Sequence, residues 1–473
     1  MAMNNHNSTV LLLPLALLAA AILSAGCTVG PRYNRPSVII PDTYRGLTSD
    51  QAAQAQPVSL GDQEWSTVFQ DQQLQGLIRT ALEQNYDVRI AAARILQARA
   101  ALGITRADQF PNAGADVSIS NQRAPASRRG PAFESSPGGF SLFAFWELDF
   151  WGRYRRATEA ARASLLAFEW ARQAVITSLV ADVAASYYQL RELDLELEIA
   201  RRALAARQES LQLVTLQAQQ GVTSLLDVRQ AEQLVFVAAA LVPDLERRTA
   251  QQENFISILQ GSNPEAIPRG LALTDQPLEP VVPAGLPSSL LERRPDIRSV
   301  EQQLIAANAR IGAARSAYFP QITLTGTGGF QSSALTGLFS GPAGLWNLVG
   351  GLTQPIFTAG RTRSNVQFTE AQQQETLLVY QQTIQQAFWE VSDALVAYRK
   401  NREFRVQQEL LTESAQDAAR LSDLRYTGGA TSYLEVLDSN TRHLAAELGV
   451  TQARLNERLT LVQLYRALGG GWQ

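Results

Sequence analysis

The run RYRRATEAARASLLAFEWARQAVITSLVADVAASYYQLRELDLELEIARRALAARQESLQLVTLQAQQ, Arg153 to Gln220, decides the fold. It holds 68 residues without a glycine or proline, and Arg361 to Thr427 repeats that feature over 67. As α-helices these runs would each be about 100 Å long at 1.5 Å per residue. No ordinary globular domain encloses such a rod. In the first run, Leu179, Val183, Ser186, Leu190, Leu193, Leu197, Ala200 and Leu204 are spaced alternately by four and three, the heptad of a left-handed coiled coil. The pattern breaks at Arg207 and resumes at Leu211, Val214 and Ala218. The second run is less regular, and its small and polar residues suit a helix with neighbours on both sides.

A stop signal follows each run. The first is Gly221-Val222-Thr223-Ser224-Leu225-Leu226-Asp227-Val228. The second is Gly428-Gly429-Ala430-Thr431-Ser432-Tyr433-Leu434-Glu435-Val436-Leu437-Asp438. Glycine ends a helix because it accepts the left-handed conformation. Thr431 or Ser432 then offers an N-cap oxygen, and Glu435 stands at the capping-box spacing from Ser432. Each stretch therefore reads as the tip of a helical hairpin. The returning helices, roughly Thr223 to Leu259 and Thr431 to Leu468, would each be about 55 Å long. Pro243 and Gly449 fall near their middles, and Pro243 should kink its helix, either as a packing adjustment or as a hinge.

Matching tips belong to a longer repeat. Asp87-Val88-Arg89 matches Asp296-Ile297-Arg298, and Phe110-Pro111 matches Phe319-Pro320, both displaced by 209 residues. Gly152-Arg153 and Gly360-Arg361 are displaced by 208, as are Gly221 and Gly429 and also Gly261 and Gly469. This is a tandem duplication. Each copy opens with a helical pattern, Asp71 to Thr105 in the first, closed by Phe-Pro. Alternation follows: Ala113, Ala115, Val117 and Ile119 lie on one face of a strand, and Ile322 and Leu324 begin its counterpart. Arg123 to Gly139 and Ser332 to Gly344 read as exposed loops. Second strands run through Phe140, Leu142, Ala144, Trp146, Leu148 and Phe150, and through Trp346, Leu348 and Leu352 to Pro355. Their aromatic residues fit either a packed core or a lipid-facing girdle. The strands lack a sequence-adjacent layer to pack on, which favours the girdle.

Bulk composition excludes much. The 473 residues carry a formal net charge of -3, with 45% hydrophobic and 18% charged residues, which gives no general attraction to nucleic acid. One cysteine, Cys27, and two histidines, His6 and His443, exclude an internal disulfide framework and leave no usual zinc site. No metal or cofactor is expected. Val10 to Leu23 has the length of a signal-peptide core rather than a membrane span. It ends in Leu23-Ser24-Ala25-Gly26-Cys27, which resembles a bacterial lipoprotein cleavage box with Cys27 as the lipidated residue. A plain secretory signal is the alternative. Pro31, Pro36, Pro41 and Pro57 make residues 27–62 an extended strap. The expected division is 1–26 signal peptide, 27–62 strap, 63–270 first repeat and 271–473 second repeat.

Four strands per chain are too few for a membrane barrel. A closed barrel needs at least eight, because an open edge leaves backbone groups unpaired in lipid. The chain must therefore oligomerise if the strands enter a membrane. Two chains would supply eight strands and three would supply twelve.

Several motifs carry a resemblance. Cys27-Thr28-Val29-Gly30-Pro31-Arg32-Tyr33, Trp65 with Phe69 and Asp71, and Glu147-Leu148-Asp149-Phe150-Trp151-Gly152-Arg153 are three of them. Arg293-Arg294-Pro295-Asp296-Ile297-Arg298, followed by Ala306-Ala307-Asn308, and the terminal Leu464 to Trp472 complete the set. Together they resemble the outer membrane factor lipoproteins of tripartite efflux pumps, the NodT/OprM-type branch of the TolC-like exporters. The resemblance implies a mainly α protein with a small β part: a homotrimeric α/β-barrel of coiled-coil helices and four membrane strands per chain. It implies a passive exit duct for drugs or other small molecules, lipid-anchored at Cys27 in the outer membrane of a Gram-negative bacterium, with its helical barrel in the periplasm. Its partners would be a periplasmic adaptor (membrane fusion protein), an inner-membrane transporter and outer-membrane lipid, without nucleic acid.

By the same resemblance the tips close the duct at rest. Leu434 would form the hydrophobic constriction, Glu435 and Asp438 acidic rings, and Tyr426 part of a locking network. Gly221, Thr223, Ser224, Gly429, Thr431 and Ser432 would meet the adaptor. Some members carry an arginine where this chain has Thr431, so that lock is absent. Three Asp438 carboxylates on one axis would repel, on the order of 3 kcal/mol for two charges about 6 Å apart at an effective dielectric of 20. The plainer alternative packs Leu434 within its hairpin and leaves Glu435 and Asp438 as solvated first-turn acids. The first tip offers Gln230 where the second has Asp438. Among rival functions, an enzyme lacks a nucleophile–base set or phosphate loop here. A type I secretion-like protein duct and a coiled-coil periplasmic lipoprotein are the other readings.

Overall fold

A computed structural model describes residues 28–46, 59–126, 131–277 and 282–472. Eight helices carry the argument: α1 (Gln72–Gln84), α2 (Tyr86–Ala107), α3 (Arg153–Gln219), α4 (Leu225–Leu259), α5 (Pro287–Arg293), α6 (Pro295–Arg315), α7 (Arg361–Thr427) and α8 (Tyr433–Ala467). The strands are β1 (Asn112–Ile119), β2 (Gln122–Ala124), β3 (Phe133–Ser135), β4 (Gly138–Leu148), β5 (Gln321–Ser332) and β6 (Gly344–Thr353). Two compact units share these elements. One comprises the described residues of Met1–Ser37 with Arg94–Phe168 and Ser299–Tyr380, the other Val38–Ala93, Glu169–Arg298 and Gln381–Gln473.

The first unit is built on an antiparallel sheet of order β1-β4-β5-β6. Phe143 lies opposite Gly114 and Thr327, and its ring covers Gly114, where an added Cβ would come within 2.5 Å of it. Val117, Leu142, Phe145, Trp346, Leu348 and Leu352 are exposed. β1 and β6 each pair on one side only among the described residues. The stretch read as a loop from Arg123 contains a short hairpin, β2 with β3. In the same unit the strap is tied down at several points. Val29 N donates to Trp151 O at 3.0 Å, Asn308 Nδ2 to Pro31 O at 3.1 Å, and Arg35 grips Glu301 at 2.8 and 2.9 Å. A Cβ on Gly30 would stand 2.4 Å from Gly312 Cα, so these two glycines let the strap touch α6.

The helices of the second unit follow the heptad. Leu179, Val183, Ser186, Leu190, Leu193 and Ala200 of α3 are buried. Leu193 and Ala200 pack on Leu245 of α4, with Leu197, Leu241 and Val242 around them. The break at Arg207 has a cause: the guanidinium is buried and donates to Leu234 O of α4 at 2.9 Å. α4 runs through Pro243 without interruption. The opening pattern is two helices rather than one, because Asn85 ends α1 and caps α2 by accepting from Asp87 N at 2.8 Å and Val88 N at 3.2 Å. Asp71 anchors the unit. It is 1% exposed and accepts from Gln73 N, Tyr187 Oη, Leu271 N and Gln276 Nε2 at 2.8 to 3.0 Å.

The duplication persists in the backbone. Gly152 and Gly360, Gly221 and Gly429, and Gly261 and Gly469 all have φ between +70° and +87°. Among the described residues no helix is long and apolar enough to cross a membrane.

Candidate functional site: the paired hairpin tips

Both tips lie in the second unit and close by the same backbone bonds. Val222 N donates to Gln217 O at 2.9 Å and Ala430 N to Arg425 O at 2.8 Å. Each is the 6→1 bond of a Schellman turn around a left-handed glycine. Gly221 and Gly429 face open space on the side where a Cβ would stand.

The side-chain caps differ. At the first tip Ser224 Oγ accepts from Asp227 N at 3.3 Å, and Asp227 Oδ2 accepts from Ser224 N at 3.0 Å, Ser224 Oγ at 2.8 Å and Thr223 Oγ1 at 2.5 Å. This is a complete capping box, and its hydroxyl bonds hold the Asp227 carboxyl below the ordinary carboxylate range. The second tip departs from expectation. Ser432 stands at the N-cap but its side chain makes no cap bond. Thr431 Oγ1 donates to Glu435 Oε2 instead. Arg425 reaches across the hairpin, with its Nε 3.6 Å from Glu435 Oε1. Glu435 is thus turned toward its own hairpin, so its spacing from Ser432 does not produce a box.

The two tips are packed on one another. Val214, Val228, Ala231, Tyr433 and Val436 form a buried cluster, flanked by Leu211, Ala218, Tyr426 and Leu437. Tyr426 and Tyr433 meet edge to face, ring centroids 5.4 Å apart. Tyr433 Oη lies 3.2 Å from Ser210 Oγ. Tyr426 Oη donates to Gln217 Oε1 at 2.7 Å, joining α7 to α3; partial burial pushes its phenol pKa up.

Leu434 is not packed within its hairpin: it is 59% exposed. Asp438 is exposed and pairs with Arg442 one turn on, Oδ2 to Nε 2.9 Å. A pair this open contributes about 0–1 kcal/mol, so Asp438 remains a surface charge with a nearby counter-charge. Sequence reasoning passed over Arg425, Arg442, Gln217 and Tyr433. Arg442 was legible from its i,i+4 spacing to Asp438. Gln217 was not, since its partner lies 209 residues away. Cys27 lies outside the described residues.

Among the described residues there is no cluster of metal-ligating side chains. The arrangement is that of two docked hairpins presenting an apolar residue and paired charges.

The family model for outer membrane efflux protein matches residues 77–262 and 286–470. The second segment begins 209 residues after the first and ends 208 after it, the same displacement as the repeat. The toluene efflux pump outer membrane protein TtgC of Pseudomonas putida is 37% identical over 463 residues, covering 97% of this chain and 95% of its own. The cation efflux system protein CusC of Escherichia coli O157:H7 is 35% identical over 455 residues, covering 96% and 97%. Among solved structures, the open state of the Neisseria gonorrhoeae MtrE outer membrane channel superposes with a TM-score of 0.86 at 34% identity, covering 94% of this chain and 99% of that one. The chain belongs to the outer membrane efflux protein family, and it is the outer membrane channel of a tripartite efflux pump.

Proposed function

We propose that three copies of this chain form one passive exit duct for small molecules, closed at rest by the hairpin tips. The observation that carries this reading is the four-stranded sheet with two unpaired edges among the described residues and exposed apolar side chains. In lipid each edge must pair. Three chains give a closed barrel of twelve strands, and no described helix could cross the membrane in its place. The helical unit then belongs on the periplasmic side, with acylated Cys27 holding the mature N-terminus to outer-membrane lipid after loss of residues 1–26. The strap of residues 27–62 and the repeats 63–270 and 271–473 are the remaining parts.

In this reading Leu434, exposed on its own chain, meets its two symmetry copies and narrows the lumen. Asp438 adds a ring of negative charge moderated by Arg442. Glu435, held by Arg425 and Thr431, stiffens the tip more than it lines the passage. Tyr426 locks the second hairpin to the first. The left-handed turns at Gly221 and Gly429, with Thr223, Ser224, Thr431 and Ser432, receive the periplasmic adaptor, and the inner-membrane transporter supplies the energy. The test is Leu434→Ala with Asp438→Ala in planar bilayers. Single-channel conductance of the resting state should rise severalfold, and an unchanged value would remove these residues from the gate.

A further inference from the structure

Away from the tips, α3 carries two acids one turn apart, Glu192 and Glu196. Both are buried, at 3% and 9% exposure. Glu192 lines a cleft of about 430 Å³ between α3, α4 and α8. Among the described residues the cation facing the two acids is Arg248 of α4, whose Nη1 lies 3.5 Å from Glu196 Oε2. α8 faces the cleft with Gln452, Leu455 and Leu459, which do not titrate. Neighbouring donors are engaged elsewhere. Gln252 Nε2 donates to Ser186 O at 2.9 Å and Gln189 Oε1 at 3.2 Å. Arg191 is held by Asp194 at 2.6 Å and by Leu271 O at 3.0 Å. Glu192 Oε1 consequently has no hydrogen-bond partner among the described residues.

Two buried carboxylates against one guanidinium would leave an uncompensated charge and an unsatisfied oxygen, each of which is costly. One added proton removes both problems. We propose that Glu192 and Glu196 form a proton-binding pair, in which Glu192 is the acid that donates to Glu196 and Arg248 balances the remaining charge. Burial, with the negative charge of Glu196 beside it, pushes the Glu192 carboxyl up to about 8. Leu193 and Leu197, adjacent to the two acids, belong to the apolar seam between α3 and α4. Losing the proton places two like charges on that seam and loosens it.

The native chain keeps the proton while the unfolded chain releases it near 4.5. Stability from this group is complete below about 4.5, falls as pH rises and is lost once pH passes about 8. In that window the unfolding constant rises up to about tenfold per pH unit.

The decisive measurement is an infrared pH titration of the purified full-length protein in detergent. A protonated-carboxyl carbonyl band should be present at pH 7, disappear by about pH 9 and correspond to about one proton per chain. Glu192→Gln, which keeps the shape and a donor, should lack that band and flatten the fall of thermal midpoint between pH 6 and 9. The wild-type titration stands without the variant if the variant folds poorly. Absence of the band at pH 7, or an identical pH dependence in a folded Glu192→Gln, would overturn the proposal. So would stability that follows sodium or potassium concentration at fixed pH, since the pair would then hold a metal cation.

Discussion

Tyr426→Phe removes one oxygen and keeps the ring. The lost bond is the 2.7 Å donation to Gln217 Oε1, which ties α7 to α3 across 209 residues. The edge-to-face contact with Tyr433 stays. A neutral bond of this kind contributes about 1 kcal/mol, and Gln217 can turn to water, so no full desolvation penalty is added. About 1 kcal/mol is roughly a fivefold change in an equilibrium. The docked-to-undocked ratio of each tip should therefore fall about fivefold, read as increased open occupancy in planar-bilayer recordings at unchanged open-channel conductance. Gln217→Ala should act similarly, and the double variant should add little, with a coupling of about 1 kcal/mol in the cycle. Additive effects of the two substitutions, or unchanged occupancy in Tyr426→Phe, would refute the lock.

Four other outcomes are expected. The rise in resting conductance for Leu434→Ala with Asp438→Ala tests the constriction directly. Ser224→Ala should cost about 1 kcal/mol of stability and Ser432→Ala about half that or less, because only Ser224 has a cap bond to lose; chemical denaturation separates them. The lowered Asp227 carboxyl adds a pH arm: its contribution is present above the ordinary value of 3.8 and disappears as pH falls through the lower folded value. Asp71→Ala strands the buried hydroxyl of Tyr187 and one amide hydrogen of Gln276, at about 1–3 kcal/mol each, also removes the acceptor of the Leu271 N–H, and should abolish accumulation of heat-resistant protein. Gly261→Ala should be worse than Gly221→Ala in thermal melts. Both glycines are left-handed, a conformation costing an alanine about 1–2 kcal/mol, but only at Gly261 would the new Cβ strike backbone, 2.5 Å from Gln84 O.

Local and periodic features are legible in the order of residues. A run of 67 or 68 residues without glycine or proline has little alternative to helix, and its apolar positions name the buried seam. The displacement of 208 to 209 residues locates both tips and both pairs of strands, because both copies place a left-handed glycine at the corresponding turns, Gly152 and Gly360, Gly221 and Gly429, Gly261 and Gly469. Departures arise where a residue chooses between local partners. Glu435 has the spacing of a capping box, yet Arg425 and Thr431 hold it. Arg207 looks like a break in a heptad and is a buried donor to α4. Asn85 divides one helical pattern into two by capping the second.

The sequence alone determined the long helices, the strands of the main sheet and the duplication, since periodicity follows from order along the backbone. Only the tertiary structure decided that Tyr426 meets Gln217, that Leu434 stays exposed, and that Glu192 is buried beside Glu196 with one arginine for two acids. Those outcomes depend on which helix faces which, and a hydrogen bond or a desolvated charge is set by a partner tens to hundreds of positions away.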